Sequence, residues 1–275
     1  MASKTHPLAS ADTALAPVPK SSSERVLGVM DLFTEAEPSW TIEGISQRLD
    51  LARTTAYRYA RTLTDAGLLA SLNSGVYVLG PRIIQLDRQI RLSDPMLRTG
   101  PPLMEAIRKQ AAGIQVLCSY YGDHVLCIHD VRVDKDILSG FDRGRPFPLF
   151  RGAPSRVILA HLPQRQLKDL MLHHAADIAA AGFGSNWQEF NQKLKSIRQA
   201  GYYAAPGDIH PDAYGIAAPI MHTKGVAGSL TIGRRLVNLK EREIPQLIEL
   251  AVATAAKIST AIQAIQAGAD DEAAA

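Results

Sequence analysis

The sequence predicts an α+β chain in two parts: a small helical part ending in a β-hairpin, then a larger part of mixed strands and helices. Three observations predict it. Over residues 21–66 apolar side chains recur at helical spacing, and between residues 68 and 79 the recurrence changes to every second position. Beyond an Asp94-Pro95 step, strand-like and helix-like stretches alternate to the C-terminus. A length of 275 residues suits one large domain or two modest ones, at roughly 100–200 residues each.

Element by element, residues 1–20 are rich in Ala, Pro and Ser without periodicity and read as a disordered arm. Order begins at Ser21, which forms a capping box with Glu24 and starts a helix carrying Val26, Leu27, Met30 and Phe33 on one stripe, ending before Glu37-Pro38. Thr41 caps a short helix with Ile42, Ile45 and Leu49. After a tight break at Asp50-Leu51 a third helix runs from about Ala52 to Ala66, stopped by Gly67. Leu68–Leu72 and Val76–Leu79 then flank Asn73-Ser74-Gly75, a hairpin turn. Three helices with a tight second turn and a following hairpin make a winged helix-turn-helix over residues 21–80. A linker helix occupies residues 81–95, with Ile83, Ile84, Leu86 and Ile90.

The second part, residues 96–267, opens with a helix over about Arg98–Ala112. Strands at Ile114–Tyr121 and His124–Val133 join across Gly122-Asp123. Helices follow near Ala153–Leu162, Pro163–His173 and Asn186–Ala200, then strands Gly215–His222 and Val226–Gly233. A long amphipathic helix (Ile244, Leu247, Ile248, Ala251, Val252, Ala255, Ile258, Ile262) closes the domain, and 268–275 read as a disordered acidic tail.

Composition excludes several classes. With 46% hydrophobic, 21% charged and 6% aromatic residues the chain is neither collagen-like nor wholly disordered, and two cysteines do not build a secreted disulfide scaffold. No continuous run of about 18 apolar residues is present to cross a membrane. The N-terminus lacks the apolar core of about 7–15 residues that a secretory signal needs, so the chain reads as cytoplasmic. No His/Cys set has zinc-ligand spacing, and no GxSxG elbow or P-loop occurs. Gly182-Phe183-Gly184 lacks the third glycine and preceding strand of a dinucleotide site. No enzyme, metal or cofactor is predicted.

The net charge of +3 is too small to argue for nucleic acid. Residues 22–95 carry eight Lys and Arg against nine Asp and Glu, yet Arg48 to Arg61 holds four Arg against Asp50 alone. On the third helix Ala52, Ala56, Ala60 and Leu63 share one face, with Tyr59 at its edge. Arg53, Thr54, Tyr57, Arg58 and Arg61 share the other, with Thr55 beside them. Arginine grips guanine O6 and N7 in two places, while Thr and Tyr reach phosphates or thymine methyls, so this face suits the major groove of double-stranded DNA. The wing near Asn73 and Ser74 touches the backbone.

Leu51–Leu69 (LARTTAYRYARTLTDAGLL) resembles the recognition helix of the IclR family of bacterial transcription regulators. Pro148–Pro163 (PLFRGAPSRVILAHLP) resembles that family's effector-domain helix, and Gln199–Ile220 (QAGYYAAPGDIHPDAYGIAAPI) its effector-site segment. The resemblance runs from Ser22 to Gln266 in the right order. It implies a winged-helix domain, a linker helix and a GAF/profilin-like effector-binding domain, in dimers, often pairing into tetramers, that regulate catabolic operons. From it Asp208, Ile209, Ala218, Pro219, Ser229 and Thr231 are expected at an effector site, with Gly233 near its rim. The family usually has Gly-Lys at Ser155-Arg156 and a small or hydroxyl residue at Arg151. These two arginines signal either an anionic ligand or a variation in helix capping.

Arg143, Arg145 and Arg151 lie on a glycine-marked loop suited to bidentate capture of a carboxylate, and Thr231 sits on a strand whose Leu230 and Ile232 face the other way. The expected ligand is a small organic acid, aromatic or keto. The other reading keeps the DNA-binding build and uses the second domain for oligomerisation or protein contact alone. Cys118 should face Cys127 across a two-residue hairpin, either as a redox pair or as two small buried hydrophobes in a reducing cytosol.

Overall fold

The computed structural model describes residues 21–72, 75–122, 124–133 and 140–274. The expected arm (1–20) and the wing tip, Asn73 and Ser74, lie outside them. The chain forms two compact units divided between Ser93 and Asp94.

In the first unit, α1 (Ser22–Gly28) starts from a complete capping box: the Ser21 hydroxyl accepts from the Glu24 N–H at 3.2 Å, and the Glu24 carboxylate accepts from the Ser21 N–H at 2.7 Å. The helix then tightens into a 3-10 turn at Met30–Leu32, which rotates the apolar face. Val29 and Leu32 are buried, while Leu27, expected in the stripe, lies on α1 before this turn and is 61% exposed. Strand β1 (Ser39–Thr41), too short to announce itself by alternation, joins α2 (Ile42–Arg48) and α3 (Arg53–Asp65). Strands β2 (Leu69–Leu72) and β3 (Val76–Leu79) complete an antiparallel sheet in the order β1-β3-β2. Its core is Val29, Ile45, Ala56, Tyr59, Ala60, Leu63, Leu69 and Tyr77. Helix α4 (Pro81–Ser93) follows and buries none of its residues.

The second unit begins with α5 (Pro95–Ala106), where the Asp94 carboxylate accepts from the Met96 and Leu97 N–H groups. The single helix expected over 98–112 is instead two, because the backbone leaves helical geometry at Ile107 before α6 (Arg108–Ala111). The strands are β4 (Ile114–Tyr120), β5 (Val125–Arg132), β6 (Pro146–Phe147), β7 (Tyr203–Pro206), β8 (Ala213–His222) and β9 (Gly225–Arg235). They form one antiparallel sheet in the order β6-β5-β4-β9-β8-β7. Helices α7 (Ala153–Ala160), α8 (Gln164–His173), α9 (Ala175–Ala180) and α10 (Trp187–Ala200) build one core with Ile114, Val116 and Ala217 of the sheet. On the opposite face α5 and α11 (Ile244–Ala274) pack on Leu117, Ile216, Ala218, Leu230 and Ile232. The sheet is thus sandwiched between two helical layers.

Helix α11 runs on to Ala274, where a disordered tail was expected from Gly268. Alanine is the best helix former, and one glycine at about 1 kcal/mol does not stop a helix lacking a cap. Between Glu241 and Gly268 this helix is long and apolar enough to cross a membrane by length and composition. Its Leu247, Ala251, Ala255, Ile258 and Ile262 are, however, buried in the second core, as in an ordinary core helix.

Two buried features of β4 have chemical content. Cys118 opposes Cys127 in the expected register, and both thiols are free and buried. Burial, with Asp130 nearby, pushes the Cys127 thiol up to about 12, and burial raises Cys118 well above the thiol range. Neither offers thiolate at neutral pH, which favours the reading as small buried hydrophobes. Gln115 is fully buried and neither of its amide atoms has a hydrogen-bond partner. An unpartnered buried polar group costs about 1–3 kcal/mol. Gln115→Leu is therefore expected to raise the melting temperature; a lower one in calorimetry would show that the amide is satisfied in solution.

Candidate functional site

The first candidate site is the outer face of α3. Ala56, Tyr59, Ala60 and Leu63 are buried, so Arg53, Thr54, Tyr57, Arg58 and Arg61 stand exposed, with Thr55 half-buried behind them. Tyr59, read as an edge residue, belongs to the core. A braced turn sets the helix. Asp50 adopts a left-handed φ of 49°, the Leu51 N–H donates to the Ser46 carbonyl at 2.9 Å, and the Ser46 hydroxyl donates to the Leu51 carbonyl at 2.6 Å. The Arg53 guanidinium meets the Glu43 carboxylate at 2.5 Å, while Arg61 approaches Asp65 at 3.8 Å. A short helix, a tight turn and a helix with an exposed face of arginines and hydroxyls is a groove-reading arrangement.

The second candidate site is a recess between the sheet and the first turn of α7. Ile114, Val116, Gly215, Thr231 and Gly233 come from the strands, Gly152, Ala153 and Pro154 from the start of α7, and Phe141, Ile209, His210 and Tyr214 from the rim. The recess is partly open: about 430 Å³ is unfilled by protein atoms, open solvent included, and the centres of water-sized molecules can occupy about 40 Å³. Alternation along β9 puts Thr231 in the recess and Leu230 and Ile232 in the opposite core. The Thr231 hydroxyl is buried and has no hydrogen-bond partner.

Several expected site residues lie elsewhere. Ala218 faces the α5–α11 core, because it alternates with Ala217. Pro219 and Ser229 pair across β8 and β9 beyond the recess. Asp208 and Ile209 do line it, but the Asp208 carboxylate is already committed. It accepts from the Gly152 N–H at 2.9 Å and from Arg156 Nε and Nη2 at 2.7 and 3.1 Å. The same guanidinium donates to the Ala181 carbonyl and lies 4.7 Å from the Phe183 ring centre and 5.2 Å from that of Tyr203. Arg156 is thus a structural cation.

None of the three loop arginines lines the recess. Arg143 donates to the Ile128 carbonyl, the Arg145 carbonyl accepts from the Cys127 N–H, and Arg151 borders a separate outer groove beside Phe150 and His174. The loop is pinned along the edge of β5 beside β6 by the Arg143 guanidinium and by backbone bonds of Gly144 and Arg145 with Cys127. Gly152 and Ala153 were missed; the signal was a glycine directly before a helix. Its φ is 87°, which strains any residue with a Cβ, and a Cβ there would lie 2.3 Å from Ile209 Cδ1, so Ile209 would also have to shift.

A helix-turn-helix with an exposed basic recognition face, followed by an α+β unit with an interior recess, defines the two-domain transcription regulators that bind DNA. Residues 22–72 match the family model for the IclR helix-turn-helix domain, and residues 95–260 that for the bacterial transcriptional regulator IclR C-terminal. The chain belongs to the IclR family: it is a DNA-binding transcription regulator and not an enzyme.

Among its relatives are the HTH-type transcriptional regulator KipR of Bacillus subtilis, 22% identical over 86% of this chain and 94% of that protein, and the Pca regulon regulatory protein of Pseudomonas putida, 23% identical over 82% and 78%. An IclR homologue of Microbacterium hydrocarbonoxydans, solved in complex with 4-hydroxybenzoate, superimposes with a TM-score of 0.75 at 23% identity, covering 89% of this chain and all of that one.

Proposed function

We propose that this regulator controls a catabolic operon in the cytoplasm in response to a small organic acid, aromatic or keto, bound in the recess below α7. The observation that carries this reading is the buried, unpartnered Thr231 hydroxyl in a mostly apolar recess, whose other polar lining side chains are Asp208, His210 and Tyr214. A ligand oxygen would satisfy it, and apolar walls with one or two polar groups suit a small aromatic or keto skeleton. No Arg or Lys is among the described lining residues and Asp208 already takes the Gly152 N–H, so a ligand carboxylate would meet the remaining N–H groups of the first turn of α7 and the His210 ring. The solved relative holding 4-hydroxybenzoate supports this ligand class.

Arg53, Thr54, Thr55, Tyr57, Arg58 and Arg61 read the operator, and Asn73 and Ser74 rest on its backbone. Two or four copies act together. On α4, Ile83, Leu86 and Ile90 recur at spacings of three and four, and none of them is buried, which suits pairing with the same stripe of a second copy. Regulation requires that the acid bind two DNA-binding states with different affinity.

The test is a melting-temperature titration with benzoate, 4-hydroxybenzoate, pyruvate and 2-oxoglutarate. At least one acid is expected to raise the melting temperature in proportion to the logarithm of its concentration. Thr231→Val should abolish that rise without lowering the protein's own melting temperature. A flat wild-type panel would favour a second domain used for oligomerisation or protein contact.

A further inference from the structure

We infer that Glu43 is a specificity-setting positioning residue of the DNA interface, acting by holding the Arg53 guanidinium in one orientation at the leading end of the recognition helix. It rests on the reading that Arg53 faces the groove. A carboxylate on a DNA-facing surface works against binding, because it repels phosphate. Glu43 sits on α2, ten residues before Arg53, and its carboxylate meets that guanidinium across the helix-turn-helix at 2.5 Å. The Arg61–Asp65 pair, in contrast, is a looser contact one turn apart on a single helix.

The backbone beneath both ends of the Glu43–Arg53 contact is fixed by other bonds, while the two side chains themselves are largely exposed. Thr41 caps α2 by accepting from the Gly44 N–H at 3.1 Å, and the Trp40 indole donates to the Leu32 carbonyl at 2.8 Å. A Cβ on Gly44 would lie 3.0 Å from the Trp40 ring, so the start of α2 packs tightly. The reciprocal Ser46–Leu51 bonds set the angle at which α3 leaves the turn. Glu43 and Arg53 are thus side chains on a braced frame.

An exposed ion pair adds little to stability, since screening and side-chain entropy consume most of its energy. Its effect is on recognition. A guanidinium free to rotate meets any phosphate, whereas one held by a carboxylate presents its remaining N–H pair in a fixed plane, as bidentate reading of guanine requires. Glu43 lowers binding to arbitrary DNA and sharpens choice at one base pair per half-site.

The experiment selects bound duplexes from a random-sequence DNA pool with the full-length wild type, E43Q and R53A. Each protein is then titrated against the wild-type consensus and a scrambled duplex at one salt concentration. For E43Q the affinity for scrambled duplex should rise several-fold, and the preference for consensus should fall about tenfold. The lost preference should fall at the base pair that R53A also loses, with the melting temperature of E43Q unchanged. An unchanged E43Q preference would overturn the inference and leave an ordinary surface ion pair. A change at a base pair that R53A still reads would also overturn it, by showing that Glu43 contacts a base itself. If R53A keeps the full wild-type consensus, the reading of Arg53 fails instead.

Discussion

Asp208→Ala is expected to lower the melting temperature of the second unit by roughly 6–12 °C. The carboxylate takes three hydrogen bonds, two from one guanidinium, and the paired side chains are only 15% and 13% exposed. Removing one partner of a buried pair costs about 3–5 kcal/mol, chiefly because the other charge stays buried and alone. With partial exposure the lower end, about 3 kcal/mol, applies, and each kcal/mol moves the melting temperature of a unit this size by roughly 2–4 °C. The loss extends past the ion pair, since the Gly152 N–H at the head of α7 also loses its acceptor. Calorimetry on Asp208→Ala and on the double variant with Arg156→Met checks the argument. The double variant should recover part of the loss by removing the stranded charge. If both single and double variants melt like the wild type, the pair contributes nothing.

Gly228→Ala is the second large effect. Gly228 lies on β9, between β4 and β8, and a Cβ there would stand 2.0 Å from the Cys118 carbonyl oxygen and 3.0 Å from Met96 Cε. Backbone cannot swing aside as a side chain does, so the two central strands must separate. Overpacking typically costs about 1–3 kcal/mol and occasionally more; a clash with backbone belongs at or above the upper end. Gly215→Ala is the control: its Cβ meets only the Ala153 methyl at 3.2 Å, and a shift of a few tenths of an ångström relieves it. Denaturant unfolding should find Gly228→Ala strongly destabilised and Gly215→Ala close to wild type. Equal losses would mean that the strands adjust freely.

The winged helix-turn-helix was largely legible because its signals are local. The Ser21–Glu24 box, the Thr41 cap and the buried face of α3 all act within a few residues, and the structure places them as read except for Ala52, which is exposed at the N-cap before α3. Leu27 misled because α1 buries none of its own residues and the core takes Val29 and Leu32 at and after its end instead. In the second unit β8 and β9 were visible from their alternation, whereas β6, with two residues, carries none. Thr231 was legible from strand parity; the same parity rule, applied to Ala218, would have placed it on the opposite face. The arginines were the hardest residues to read. Four of them between Asp142 and Arg156 suggest anion capture, yet long-range partners decide their roles: a carbonyl on β5 takes Arg143, and a carboxylate 52 residues away takes Arg156.

Strand β9 is one polypeptide thick, so its two sides share a single backbone. The hydroxyl of Thr231 and the side chains of Leu230 and Ile232 hang from the same main chain on opposite sides. A backbone shift at Thr231 would carry its two neighbours along, and these rest in the core that holds Met96, Leu97 and Met104 of α5. That helix is the first element after Ser93, where the second unit begins. Within the second unit the recess and the α5–α11 core are therefore separated by no more than the thickness of one strand.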